Sequence, residues 1–164
     1  MTNVNSSVNY QVVDSNLVPL ALLLEADPSQ QSINSYLADA WCFAAYQQEA
    51  MVGICVVREI KPQVAEVFNV SVLPECQQQG IGSALLRFAL GQLLEMNIRR
   101  VELGTGTFGY QLTYYQRLGF RVESIIKDHF LVNYSEPIFE HGIQHKDMLR
   151  LSLNLVGKSD AGAI

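Results

Sequence analysis

Val70-Ser71-Val72-Leu73-Pro74-Glu75-Cys76-Gln77-Gln78-Gln79-Gly80-Ile81-Gly82-Ser83 is the stretch on which the reading of this chain turns. A β-branched run ends at Val72, Pro74 interrupts it, a polar turn follows, and a long periodic segment opens with Gly-x-Gly. Gly80–Met96 reads as a helix, because Ile81, Ala84, Leu85, Phe88, Ala89 and Leu93 form one continuous apolar stripe. A helix start leaves its first backbone N–H groups without intrahelical partners and carries a partial positive charge. Glycines there remove the Cβ atoms that would keep a diphosphate from the backbone. From these residues alone two readings stay open: an anion cradle built from main chain, or glycines that only let the helix pack closely. The dinucleotide fingerprint Gly-x-Gly-x-x-Gly fails at Leu85, and no Gly-Lys-Ser/Thr follows for a phosphate-binding loop of the Walker type. Ala at Gly80 or Gly82 is expected to suit the helix while obstructing an anion.

Upstream, Trp41–Tyr46, Met51–Arg58 and Ala65–Val72 read as three consecutive antiparallel strands, and Tyr10–Val13 as a shorter one. Asn16 is expected to cap a helix over Leu17–Glu25. Asp27 is expected to cap a second helix, with Pro28 at its first position and Ile33, Tyr36 and Leu37 on one face. If Gln48-Glu49 is a two-residue hairpin loop, Cys42 falls opposite Cys55, though a reducing compartment argues against a disulfide. Downstream, Arg100–Leu103 is a strand, Gly104–Gly109 a loop, Gln111–Leu118 a short helix ended by Gly119, and Phe120–Lys127 a strand. In Met148–Leu155, Leu149, Leu151, Leu153 and Leu155 alternate with Arg150, Ser152 and Asn154, the pattern of a sheet with one wet face. The expected architecture is α/β: a single mixed, mostly antiparallel sheet with a central parallel strand pair, and helices on both faces. Residues 1–156 are expected to form one domain and 157–164 a frayed tail.

With 49% hydrophobic and 16% charged residues and a mean hydropathy of +0.12, intrinsic disorder is excluded. The apolar runs, such as Leu20–Leu24, fall far short of the ~20 residues that span a bilayer. No basic segment with a following apolar run opens the sequence, so the expected compartment is the cytoplasm and no membrane partner is expected. A net charge of −5 is the wrong balance for a general nucleic-acid binder. It suits a cationic substrate such as an amine, or simply solubility. Cys42, Cys55 and Cys76 are too few and too scattered for a disulfide framework or a zinc site, and no metal is expected.

Gln77-x-x-Gly80-x-Gly82, preceded by Val70-x-Val72-x-Pro74, resembles the acyl-coenzyme A (acyl-CoA) signature of the Gcn5-related N-acetyltransferases. Tyr114-Tyr115-Gln116-Arg117-Leu118-Gly119-Phe120 is similar to that superfamily's aromatic-Tyr-x-x-Leu-Gly-Phe element, and the match runs roughly from Trp41 to Phe120. The resemblance implies acetyl-CoA as acyl donor, a primary amine of a small molecule or peptide as acceptor, and direct attack in a ternary complex. Backbone groups of Val70 and Val72 would meet the pantetheine arm; Gln77, Gln78, Gln79, Gly80, Ile81, Gly82 and Ser83 would wrap the pyrophosphate. Gln79 stands where many relatives carry a basic residue. Phe108 stands where relatives often carry an Asn that holds the pantetheine, so two readings of this loop stay open: that bond passes to Thr105, Thr107 or Gln111, or the loop is a simple flexible turn.

Tyr115 would protonate the departing thiolate. Glu66, on the strand face shared with Phe68, Val70 and Val72, would take a proton from the amine, its basicity raised among apolar neighbours; the alternative is an exposed strand-end Glu. The aromatic, Glu- and His-containing stretch from Lys127 to Gly142 would wall the acceptor. His129, His141 and His145 otherwise read as surface or internally satisfied histidines. A non-catalytic acyl-CoA binding or sensing module on the same fold is the alternative function. A homodimer is expected, because an apolar sheet edge is a liability.

Overall fold

A computed structural model describes residues 7–156, and the expected tail 157–164 lies outside them. In chain order the elements are β1 (Val8–Val13), α1 (Leu20–Leu23), α2 (Gln30–Leu37), β2 (Trp41–Gln47), β3 (Ala50–Lys61), β4 (Val64–Val72), α3 (Ile81–Glu95), β5 (Arg100–Gly106), α4 (Tyr110–Arg117), β6 (Arg121–Ile126), α5 (His129–Asn133), β7 (Phe139–Glu140), β8 (Ile143–Gln144) and β9 (Met148–Asn154). Among the described residues seven strands form a mostly antiparallel sheet in the order β1-β2-β3-β4-β5-β9-β6, with a parallel pair where α3 links β4 to β5; β7 and β8 make a separate hairpin. This is the expected fold class. The described residues pack as two units: 7–58 with Val67–Met96, and Glu59–Glu66 with 97–156.

In the first unit the period-2 alternation of β2 sends neighbouring side chains to opposite faces. Cys42 and Ala44 join Leu22, Leu23, Ile33, Tyr36, Ile54 and Val56 in one buried cluster under α1 and α2. Phe43 points the other way and meets Phe88 of α3 edge-on, ring centres 6.2 Å apart. The hairpin loop is Gln48-Glu49 as expected, but a bulge at Ala45/Tyr46 shifts the register by one, so Cys42 pairs with Val56 and Phe43 with Cys55. A one-residue slip reverses every facing relation beyond it. Cys42 and Cys55 are therefore not opposite, and both are free thiols.

Both expected helix caps move. Asp14, not Asn16, closes a short 3-10 turn over Ser15–Leu17, and α1 begins only after Pro19. Ser29 caps α2 by accepting from the Ser32 N–H at 3.1 Å. Asp27 is instead buried, with one oxygen on the Ser29 N–H and the other on the Tyr36 hydroxyl. A tertiary partner outcompetes the local capping role.

In the second unit β9 lies between β5 and β6, pairing Arg100 with Asn154 through to Gly106 with Met148. The strand thus takes in Gly104, Thr105 and Gly106, which the sequence pattern places in a loop. The reason is room: a Cβ on Gly104 would stand 2.3 Å from the Met148 sulfur. Nor does β9 have one wet face, since Leu151 and Ser152 are both buried.

Burial pushes the Cys42 thiol up to about 11 and raises Cys55 further still. Protonated, enclosed thiols are poor nucleophiles. A Cys76→Ser variant should therefore take up no Ellman reagent at pH 8 while folded and two equivalents once unfolded in guanidinium. Its melting temperature should be the same with and without dithiothreitol.

Candidate active site

The turn between β4 and α3 is held by one bond to β3 and otherwise by short-range bonds. The Leu73 N–H donates to the Val52 carbonyl at 2.9 Å, and Pro74–Cys76 form a 3-10 turn closed by Cys76 N–H on Leu73. The Gln77 side chain reaches back to donate to the Val72 carbonyl at 2.9 Å, and Gln79 donates to the Glu75 carbonyl. The glutamine side chains thus brace the turn. Cys76 is buried, its sulfur 3.9 Å from the Gln47 side-chain oxygen Oε1, which leaves it no role as an exposed nucleophile.

Gly80 is the N-cap of α3, at φ 79°, and gives the helix no side-chain cap. It is exposed, as are Gln77, Gln78 and Gln79, while Ile81 is buried and anchors the first turn; Gly82 and Ser83 are half-buried. The first helical bond to Gly80 comes from Ala84, at 3.1 Å. A fifteen-residue helix thus presents its positive end beside an exposed glycine. The expectation that Gly80 is an ordinary helix position is overturned: its left-handed φ, not crowding, is what Ala would disturb, since a Cβ there meets nothing within 4 Å.

β4 carries an inversion of the usual pattern. Val70 and Val72 are only half-buried, whereas Asn69 and Ser71 are buried. Asn69 donates to the Leu23 carbonyl and to the Tyr36 hydroxyl, each at 3.0 Å; Tyr36 donates to Asp27 at 3.1 Å; and Ser71 donates to Asn69. Each of these polar groups is paired, which is what makes their burial affordable. Sequence reading missed this network, although Asn69 and Ser71 at alternate positions of a strand were its signal.

In the second unit Glu66 does not sit among apolar neighbours: the Arg150 guanidinium donates to it at 2.7 Å. Arg150 also lies 3.7 Å from Glu102, and the Glu66 and Arg150 side chains are each 18% exposed. His129 of α5 is held below the usual histidine range, first by burial, then by the Arg150 cation, with Glu66 opposing. Thr105 is buried within β5, and Gln111 is half-buried in the first turn of α4. Tyr115 is buried, its ring 5.0 Å from Tyr114 and 6.0 Å edge-on from Phe120. Phe108 stacks flat on His145, centroids 4.2 Å apart. The cradle residues from Val70 to Ser83 thus fall in the first unit, and Glu66, Thr105, Gln111 and Tyr115 in the second. No group of three or more His, Cys, Asp or Glu among the described residues is arranged to hold a metal, and no helix there is long and apolar enough to cross a membrane.

Residues 38–122 match the family model for the acetyltransferase (GNAT) domain. The chain is 38% identical over 135 residues to an uncharacterized N-acetyltransferase, YvbK, of Bacillus subtilis (strain 168), covering 82% of this chain and 87% of that one. It is similar to an IAA acetyltransferase from Bacillus cereus ATCC 14579, with TM-score 0.87 and 37% identity over 91% of this chain and 100% of that one. It is also similar to a GNAT family acetyltransferase from Elizabethkingia anophelis solved with acetyl-CoA bound, with TM-score 0.86 and 33% identity over 90% and 98% of the two chains.

The geometry at Gly80 makes a direct prediction. Left-handed φ penalises a Cβ by ~1–2 kcal/mol for most residues and less for Asn. Gly80→Ala should therefore lower the melting temperature by roughly 2–8 °C, and Gly80→Asn by less. Differential scanning calorimetry that ranks Ala above Asn would refute the assignment.

Proposed function

The chain belongs to the GNAT acetyltransferase family, and on that premise we propose that it transfers an acetyl group from acetyl-CoA to a primary amine of a small molecule or peptide. The observation that carries the reading is the open, glycine-led N-terminus of α3 directly after β4. Its amides suit a pyrophosphate, and the extended backbone at Val70 and Val72 suits an amide-bearing pantetheine arm. Residues 77–83 do this with main chain, since Gln77 and Gln79 spend their side chains on the turn. Thr105 or Gln111 replaces the Asn for which Phe108 stands. No metal enters this chemistry, and residues 1–156 act as one catalytic domain, in a cytoplasmic setting.

Two protons leave the nitrogen of a primary ammonium in this reaction, one to the coenzyme A sulfur and one to solvent. The C–N bond forms as the C–S bond breaks, without an acyl-enzyme. Tyr115 supplies the proton to sulfur, because a phenol with a pKa of ~10 stays protonated at neutral pH. Glu66, its carboxylate positioned by the Arg150 guanidinium, takes a proton from the acceptor through water.

Tyr115→Phe keeps the ring that packs on Phe120 and removes only the hydroxyl. It should lower kcat by ~10²–10⁴-fold and leave coenzyme A affinity nearly unchanged, while Tyr114→Phe should do little. Thiol release across a panel of primary amines is the assay. Parental kcat in Tyr115→Phe removes it from the mechanism. Acetyl-CoA binding without thiol release for any amine would instead favour a sensing module.

A further inference from the structure

The hairpin β7–β8 and the residues that follow it hold a group the proposed mechanism does not use. His145 is buried, and its Nε2 lies 2.8 Å from a carboxylate oxygen of Glu140. Its Nδ1 is enclosed and hydrogen-bonds no described residue. The His145 backbone N–H donates to the Ile138 carbonyl at 2.8 Å, which closes the hairpin over the pair. Phe130 packs against the ring from α5, centroids 5.6 Å apart.

Both members of the pair bear on the segment joining β5 to α4. His145 stacks on Phe108 with ring planes 3° apart, and it fills the space over Gly106, where a Cβ would stand 2.4 Å from its ring. Glu140 lies over Gly109, the N-cap of α4, where a Cβ would stand 2.8 Å from a carboxylate oxygen. Gly109 has φ 104° and offers no side-chain cap, so the carboxylate faces the positive end of α4. α4 carries Tyr115 in its second turn. Its first turn, left alone, has neither a capping side chain nor an acidic residue of its own.

We propose that Glu140 and His145 are positioning residues for acetyl transfer: together they clamp Phe108 and Gly109, fix the start of α4, and so aim the Tyr115 hydroxyl. His145 supplies the flat stack, and its Nε2–H orients the Glu140 carboxylate over the helix end. This rests on the reading of the chain as an acetyltransferase with Tyr115 as its acid. It gives the 128–146 segment a task distinct from lining the acceptor.

The test uses the full chain with acetyl-CoA and an amine that it turns over. His145→Phe keeps the stack on Phe108 and breaks the bond to Glu140; Glu140→Gln keeps an acceptor for Nε2–H and removes the charge. Each should lower kcat about 10-fold, since small displacements of a catalytic group cost large factors, with the KM for acetyl-CoA within about two-fold. In a Tyr115→Phe background the same substitutions should change kcat less than about two-fold, because effects routed through one residue do not add. Amide hydrogen exchange over residues 109–113 should quicken in both variants. Parental kcat in both, or losses that multiply fully in the Tyr115→Phe background, overturns the positioning role while transfer stands. If the parent releases no thiol with any amine, transfer and positioning fall together, and the exchange data show whether the clamp remains as a feature of the fold alone.

Discussion

The strand β4 becomes the helix α3 within eight residues, and much of the first unit follows from how that turn is held. A side-chain cap contributes ~1 kcal/mol to a typical helix, and α2 takes one from Ser29. The longer α3 takes none. Its start is instead held by Gly80 in a left-handed conformation, Ile81 buried beneath, and Gln77 tied back to Val72. Stability is recovered along the helix, where Leu85, Leu86, Ala89 and Leu93 are fully buried.

The same strand is fixed from behind by polar groups. Asn69, Ser71, Tyr36 and Asp27 form a chain of hydrogen bonds that ties β4 to α1 and α2 inside an otherwise apolar cluster. Apolar packing alone tolerates small slips, whereas a buried amide with two acceptors has few geometries that satisfy it. The half-buried face of Val70 and Val72 therefore has a rigid backing, as the proposed contact with the pantetheine arm requires.

Strands and the two longer motifs were legible because they rest on local periodicity: the stripe of α3, the alternation of β4, and Gly119 ending α4. What was not legible depends on partners far away in the chain. Asp27 looks like a cap until Tyr36 claims it. Cys42 looks paired with Cys55 until a bulge near Ala45 slips the register. Gly104 and Gly106 look like a loop, but they are strand residues whose missing side chains make way for Met148 and His145. Glu66 looked isolated because its partner lies 84 positions away.

That distant pairing has a consequence for the acceptor. Glu66, Arg150, Glu102, Arg100 and Glu123 form a ladder of ion pairs within the second unit, with Arg150 between Glu66 and Glu102, and Arg100 between Glu102 and Glu123. Individual pairs at partly exposed positions contribute little to stability, typically ~0–1 kcal/mol. The charge count says more. Three carboxylates face two guanidiniums, so the ladder keeps one uncompensated negative charge. His129, held below its ordinary range by burial and by Arg150, does not cancel it at neutral pH. Such a net charge favours a cation over an anion beside the ladder. For the proposed transfer to a primary amine, that charge favours the protonated acceptor, which must then lose a proton before it attacks, the step proposed for Glu66.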